Sequence, residues 1–268
     1  MNRNSGEDLA RLTEQLSASD PPRVERAIKR LRTRLGSLAA EDYRRAVDGL
    51  CSLFYVDTSD RADLEPALDL VTDVLAEQGV RVVPLLVSQM EGSDLKSHLY
   101  LARSLARIGC EALPRLRELL ATAEDPYLRS FAMYALGKMT CPEVAVALPE
   151  ILGGLMHADK EVRDTAARTL GRVAGTVPAD RFTPRQRREM FEGLVRACRD
   201  PQPAVRAKAI RSLGKLGRAG LLSEAHREQV VAMARATLGE TEDGSWDHAF
   251  IVRREAQETL AAVSPSRR

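Results

Sequence analysis

Asp125-Pro126-Tyr127-Leu128-Arg129, followed by Ala132 and by Leu136-Gly137, is the stretch on which the reading of this chain turns, because the pattern comes back twice. Asp159 with Val162-Arg163, Ala166 and Leu170-Gly171 repeats it, and so does Asp200 with Val205-Arg206, Ala209 and Leu213-Gly214. Weaker copies run from Asp20-Pro21 through Ala27 to Leu31, from Asp60 through Ala67 to Val71, around Leu101 and Leu105, and from Val252-Arg253 through Ala256 to Leu260. The closing apolar position of each copy anchors seven units, at Leu31, Val71, Leu105, Leu136, Leu170, Leu213 and Leu260, in steps of 31 to 47 residues. A recurring period of that size is the mark of stacked supersecondary modules.

Within each copy the apolar positions fall four and eight apart, one face of a helix, and sustained alternation of period two is not seen. A second helical pattern lies between the copies, as in Val82-Val83-Pro84-Leu85-Leu86, Ala112-Leu113-Pro114 with Leu116, Leu119 and Leu120, and Ala147-Leu148-Pro149 with Ile151-Leu152. Each unit is therefore expected to be a pair of helices. Asp20, Asp125 and Asp200 each precede a proline, so the carboxylate can accept from orphan amides while proline fills a first-turn position that needs no donor. Gly79, Gly109 and Gly217 are expected to close helices in the left-handed conformation. Gly153-Gly154, inside an apolar helix, reads as a site of close packing.

The Asp-Pro-x-Val-Arg-x-x-Ala-x-x-x-Leu-Gly signature resembles the HEAT-repeat family, including its bacterial branch of phycobilisome-lyase repeats. The resemblance implies an all-α solenoid spanning 1–268 as one domain, with units at roughly 6–36, 39–77, 79–109, 111–140, 143–175, 183–217 and 223–263. It also implies that each second helix lines a concave side. Isolated helix pairs cannot bury their apolar stripes and must stack on neighbours, which leads independently to the same picture. The second and third units depart from the pattern, with Leu64-Glu65 replacing the Val-Arg step and no such step near Ser97-His98.

The 268 residues are 44% hydrophobic and 29% charged, which excludes disordered and collagen-like classes. The longest uncharged run, Val82 to Met90, has nine residues, half of the roughly 18 needed to suggest a membrane span. The opening Met1-Asn2-Arg3-Asn4 lacks the apolar core of a secretory signal, so a cytoplasmic location is expected, and the arginine- and alanine-rich usage suits a bacterial source. Cys51, Cys110, Cys141 and Cys198 are far apart in apolar stretches and read as small core residues.

Charge is unevenly placed. Residues 57–91 carry two Lys/Arg against eight Asp/Glu, whereas residues 92–222 carry 22 against 14. Positions two before and two after each anchor lie opposite the buried helical face. In units three to six these slots hold Arg103, Tyr134, Arg168 and Arg211, then Arg107, Lys138, Arg172 and Lys215. Unit two places Asp69 and Asp73 there, and unit seven Glu258 and Ala262. Repeating like charges at this spacing is unfavourable without a counter-charge, so the eight residues are the candidate surface for an acidic or mixed-charge protein segment. Arg129, Arg163, Arg206 and Arg253 fall instead toward the seam between units, where Asp125, Asp159 and similar aspartates can pair with them.

Signatures of chemistry are sparse. His98, His157, His226 and His248 show no metal-ligand spacing, so neither metal nor cofactor is expected. HEAT-like metal hydroxylases carry His-Glu pairs that this chain lacks. The acidic loop Glu240 to Asp247 has neither alternating ligands nor a closing bidentate glutamate and reads as a solvated turn rather than a calcium site. The expectation is a non-catalytic interaction scaffold. The alternative is a protein that binds nucleic-acid phosphates, as HEAT-like DNA glycosylases do, but Tyr134 alone supplies an aromatic platform in the stripe. A lyase-type enzyme subunit is a more distant alternative, resting on the repeat alone.

Overall fold

The computed structural model describes residues 3–92, 94–242 and 244–264, which form α-helices and short 3-10 turns with no strand among them. The chain divides into two compact units, residues 1–119 and 120–268. Among the described residues no helix is long and apolar enough to cross a membrane.

The first unit contains α1 (Arg3–Leu16), α2 (Pro21–Arg34), α3 (Ala40–Ser52), α4 (Glu65–Ala76), α5 (Val83–Gly92), α6 (Leu95–Ile108) and most of α7 (Leu113–Thr122). Here α2, α4 and α6 stack in order, while α1, α3 and α5 form a companion layer. The second unit holds α8 (Pro126–Leu136), α9 (Leu148–Gly154), α10 (Lys160–Thr176), α11 (Pro184–Ala197), α12 (Pro203–Arg218), α13 (Glu224–Leu238) and α14 (Phe250–Val263). One row runs α8, α10, α12, α14, the helices that the repeat resemblance assigns to an inner side, with α9, α11 and α13 packed on those helices. Both are solenoid stacks, and among the described residues the fourteen α-helices fit the roughly seven pairs expected from the repeat.

The anchors explain the stacking. Leu31, Val71, Leu105, Leu136 and Leu170 have no solvent exposure and Leu213 has 1%. Leu260 departs from this and is only half-buried, packed beside Ala256 and Val252.

The Leu-Gly step has a second role that spacing alone did not show. A β-carbon on Gly171 of α10 would lie 2.3 Å from the Ser212 hydroxyl and 3.0 Å from its α-carbon on α12. Ser212 Oγ in turn donates to the Ala167 carbonyl at 2.8 Å. The arrangement repeats on either side: Thr169 meets Gly137 and donates to the Met133 carbonyl at 3.1 Å, and Thr259 meets Gly214 and donates to the Ile210 carbonyl at 3.0 Å. Each hydroxyl precedes an anchor leucine and reaches the residue three before the neighbouring anchor. Glycine thus brings inner helices close enough for a side chain to bond across, at a carbonyl already within a helix.

Several local expectations change. Asp20 and Asp125 cap their helices as the prolines suggested, and Asp159 does the same, accepting from the Glu161 amide at 2.8 Å. Asp200 does not cap α12, which begins three residues later at Pro203 with Gln202 at its N-cap. Gly79 and Gly109 have positive φ, but Gly217 lies buried within α12, where a β-carbon would meet Val263 at 2.5 Å; the left-handed turn falls at Gly220. Gly154 packs against Ala166 and Met133 as expected, whereas Gly153 faces open space. Cys51 is buried, and Cys198 is half-buried with its thiol pushed up to about 12 by burial. Cys110 and Cys141 are not in helices; they sit half-buried in and beside 3-10 turns.

Candidate interaction surface

In the first unit, Arg103 and Arg107 project from the last turns of α6 toward α4. Arg103 lies 3.8 Å from the Asp69 carboxylate and stacks over Tyr100, and Arg107 is ion-paired with Asp73. The basic slots of one hairpin therefore face the acidic slots of the hairpin before it. Both arginines remain close to half exposed, so these pairs are screened and weak.

The second unit brings the rest together along α8, α10 and α12. Arg168 pairs with Asp164 one turn earlier on α10, at 2.6 Å. Arg211 reaches α14, donating Nε to Glu255 at 2.7 Å, and Arg254 also bonds that carboxylate, whose side chain is 2% exposed. Lys138, Arg172, Lys215 and Arg218 have no carboxylate within ion-pairing distance among the described residues. Tyr134 serves as a seat for cations, with Arg172 5.4 Å and Lys138 5.7 Å from its ring centre.

Those four cations line one cavity of about 550 Å³ whose wall also includes Gly137, Gly171 and Gly175. A smaller neighbouring cavity of about 230 Å³ is bordered by Arg168, Arg172, Lys208, Arg211, Ser212 and Lys215. Arg172 and Lys215 belong to both. Burial, and then the like charges of Arg172, Arg211 and Arg218, hold the Lys215 ammonium below the ordinary lysine range. Burial and the adjacent Arg168 act in the same direction on Arg172. Arg218 and Lys208 were not singled out by the slots beside the anchor; Arg218 lies five beyond Leu213, on the last turn of α12.

The seam arginines are held as expected, with different aspartates. Arg163 makes a bidentate pair with Asp200 at 2.6 and 3.2 Å, and Arg206 with Asp247 at 2.7 and 2.9 Å. Each guanidinium also donates to the carbonyl six residues before it, in the turn ahead of its own helix. Arg129 and Arg253 make local bonds to the carbonyl at the same spacing, Arg129 to Ala123 and Arg253 to Asp247, and Arg253 donates to His248 as well. The acidic loop is therefore more than a solvated turn: Asp247 joins α12 to it, and Arg253 lies 4.2 Å over the Trp246 ring. Asp243 of that loop, and Met1-Asn2, lie outside the described residues. The histidines have structural contacts, His98 with the Met90 carbonyl at 2.8 Å and His226 stacked on Phe191 at 3.9 Å.

With this geometry in hand, the chain can be placed among known proteins. The family model described as HEAT repeats matches residues 148–261, and that of the PBS lyase HEAT-like repeat matches residues 99–122. No curated protein matches. Among solved structures, the karyopherin Kap121p bound to the SUMO protease Ulp1p aligns over 97% of this chain and 29% of its own, with TM-score 0.63 and 11% identity. Kap95p, in a structure with RanGDP, aligns over 97% and 36% with TM-score 0.59 and 17% identity. The CpcE–CpcF complex of phycocyanin lyase from Nostoc sp. PCC7120 aligns over 67% of this chain and 98% of that one, with TM-score 0.53 and 18% identity. At these identities the likeness concerns the fold, and this chain spans about a third of either karyopherin. The repeat signature, the two-layered stacking of its hairpins and the matching family models agree that this is a HEAT-repeat protein.

Proposed function

We propose that the chain is a non-catalytic interaction scaffold that takes up an acidic protein segment on the inner helices of its second unit. The observation that carries this reading is the set of four cations, Lys138, Arg172, Lys215 and Arg218, around one cavity with no carboxylate among its lining residues. A folded chain gains nothing from holding like charges together in a partly desolvated place, so an external anion accounts for the arrangement. The HEAT architecture supports it, since such stacks present long surfaces of inner helices to a partner.

The same wall argues for binding rather than chemistry. It consists of cations, glycines, Ala219 and Thr176, whose hydroxyl already donates to the Arg172 carbonyl at 3.1 Å. Tyr134 carries cations against its ring, which leaves it poorly suited to stack a nucleic-acid base. Because Arg168 and Arg211 have carboxylate partners, they act as a supporting field around the four unpaired groups of the same unit. The test is fluorescence anisotropy with a labelled Asp/Glu-rich peptide, using the chain carrying Lys138→Glu, Arg172→Glu, Lys215→Glu and Arg218→Glu. Binding is expected to disappear while the helical circular-dichroism signal stays; unchanged binding refutes the assignment.

A further inference from the structure

A carboxylate-rich segment needs only a diffuse positive field, yet the wall of α10 and α12 offers something more concentrated. Arg172 and Lys215 lie on the boundary shared by the two cavities, and Lys138 and Arg218 close the larger one. Arg172 Nη1 is buried and makes no hydrogen bond, and the same holds for Arg168 Nε. These are donors withdrawn from water without compensation, a cost that a native structure tolerates where a ligand supplies the acceptor. Gly137 and Gly171 also line the larger cavity.

We propose that the segment bound here carries a phosphorylated side chain, whose phosphate occupies the cavity between Lys138, Arg172, Lys215 and Arg218. The inference rests on the scaffold reading and narrows it. A phosphomonoester brings about −1.5 to −2 charges and three acceptor oxygens at one point, against a single charge from a carboxylate. Guanidinium groups match those oxygens in fork geometry, and the Arg172 Nη1 donor is the one left unused. The smaller cavity, bordered by Lys208 and Arg211, then accommodates an acidic residue beside the phosphorylated one.

The test compares two labelled peptides on the full chain, identical and Asp/Glu-rich except for a central phosphoserine or a glutamate in its place. The phosphoserine peptide is expected to bind at least about tenfold tighter. That preference should vanish in the Arg172→Gln, Lys215→Gln chain and persist in Arg185→Gln, a control for an exposed arginine on α11. Unchanged circular dichroism and melting of the double variant establish that it has folded; if it has not, Arg218→Gln alone is used, with a partial loss expected. Equal affinity for the two peptides overturns the phosphate seat and leaves the acidic-segment reading standing. Failure of both to bind overturns both readings. Inorganic phosphate competing as tightly as the phosphoserine peptide, or a single-stranded oligonucleotide binding tighter through the same residues, also overturns a phosphorylated protein segment as the occupant.

Discussion

Replacing Gly171 by alanine should destabilise the second unit, although alanine is the better helix former. Its new methyl carbon would stand 2.3 Å from Ser212 Oγ, 2.7 Å from Ser212 Cβ and 3.0 Å from Ser212 Cα, so a rotamer change alone cannot clear it. The serine hydroxyl must leave the Ala167 carbonyl, costing about 1 kcal/mol, and α10 and α12 must separate, an overpacking strain of about 1 to 3 kcal/mol. Helix propensity returns up to about 1 kcal/mol, leaving a net loss of about 1 to 3 kcal/mol. Gly175, one turn later on the same helix, is the internal control, because a β-carbon there meets nothing within 4 Å. Gly175→Ala should hold stability level or raise it slightly, so the variants should differ by about 2 to 4 kcal/mol. Trp246 is the sole tryptophan and belongs to the second unit, so its fluorescence in a urea titration follows that unit's unfolding. Ser212→Gly in the Gly171→Ala background should recover part of the loss. Equal midpoints for the two alanine variants would refute the close-approach account.

Leu170 has no exposed surface, so Leu170→Ala should cost about 2 to 5 kcal/mol in the same titration, and a loss below about 1 kcal/mol would show that the site collapses freely. Arg163→Ala leaves Asp200 unpaired at a seam where both side chains are at most 15% exposed, and a loss of about 2 to 4 kcal/mol is expected. Burial pushes the Asp200, Asp247 and Glu255 carboxyls up, but hydrogen bonds from Arg163, Arg206 and Arg211 outweigh it and hold all three below their ordinary values. Their contribution is therefore complete above the unfolded carboxylate range, at about pH 4, and is lost as pH falls through the lower folded values. An acid titration of stability should steepen below about pH 4, and the Asp200→Asn, Asp247→Asn chain should show a shallower fall. Because Arg103 and Arg107 face carboxylates, Arg103→Ser with Arg107→Ser should weaken acidic-peptide binding less than Arg172→Gln with Lys215→Gln, as read by anisotropy.

The helical pairs, their order and the buried anchors were legible because burial imposes a spacing that the sequence displays directly. The seam arginines were legible for a related reason, since a charged residue seven before a buried leucine turns toward the neighbouring module. Their partners were not: Asp200 and Asp247 precede the next inner helix, so each bond spans 37 or 41 residues and depends on how hairpins dock. The serine and threonine ahead of the anchors looked like ordinary helix residues, and only the facing glycines give them a role. The basic stripe was visible as a pattern of slots, but the slots could not distinguish Arg107, opposite Asp73, from Arg172, opposite no carboxylate. That distinction depends on the residue at the same slot one module away. Arg218 escaped because the cavity follows the glycines of the inner helices rather than a single helical face.

The seam pairs have a consequence for how such a chain can lengthen or shorten. Arg163 and Arg206 occupy equivalent places in consecutive hairpins, as do Asp200 and Asp247, and the Gly171–Ser212 and Gly214–Thr259 contacts share the same register. Excising α11 and α12 together would present Arg163 to Asp247 and Gly171 to Thr259, groups already shaped for each other. The joint is thus universal within this half of the molecule, and a whole hairpin can be spliced out or duplicated without inventing a new interface.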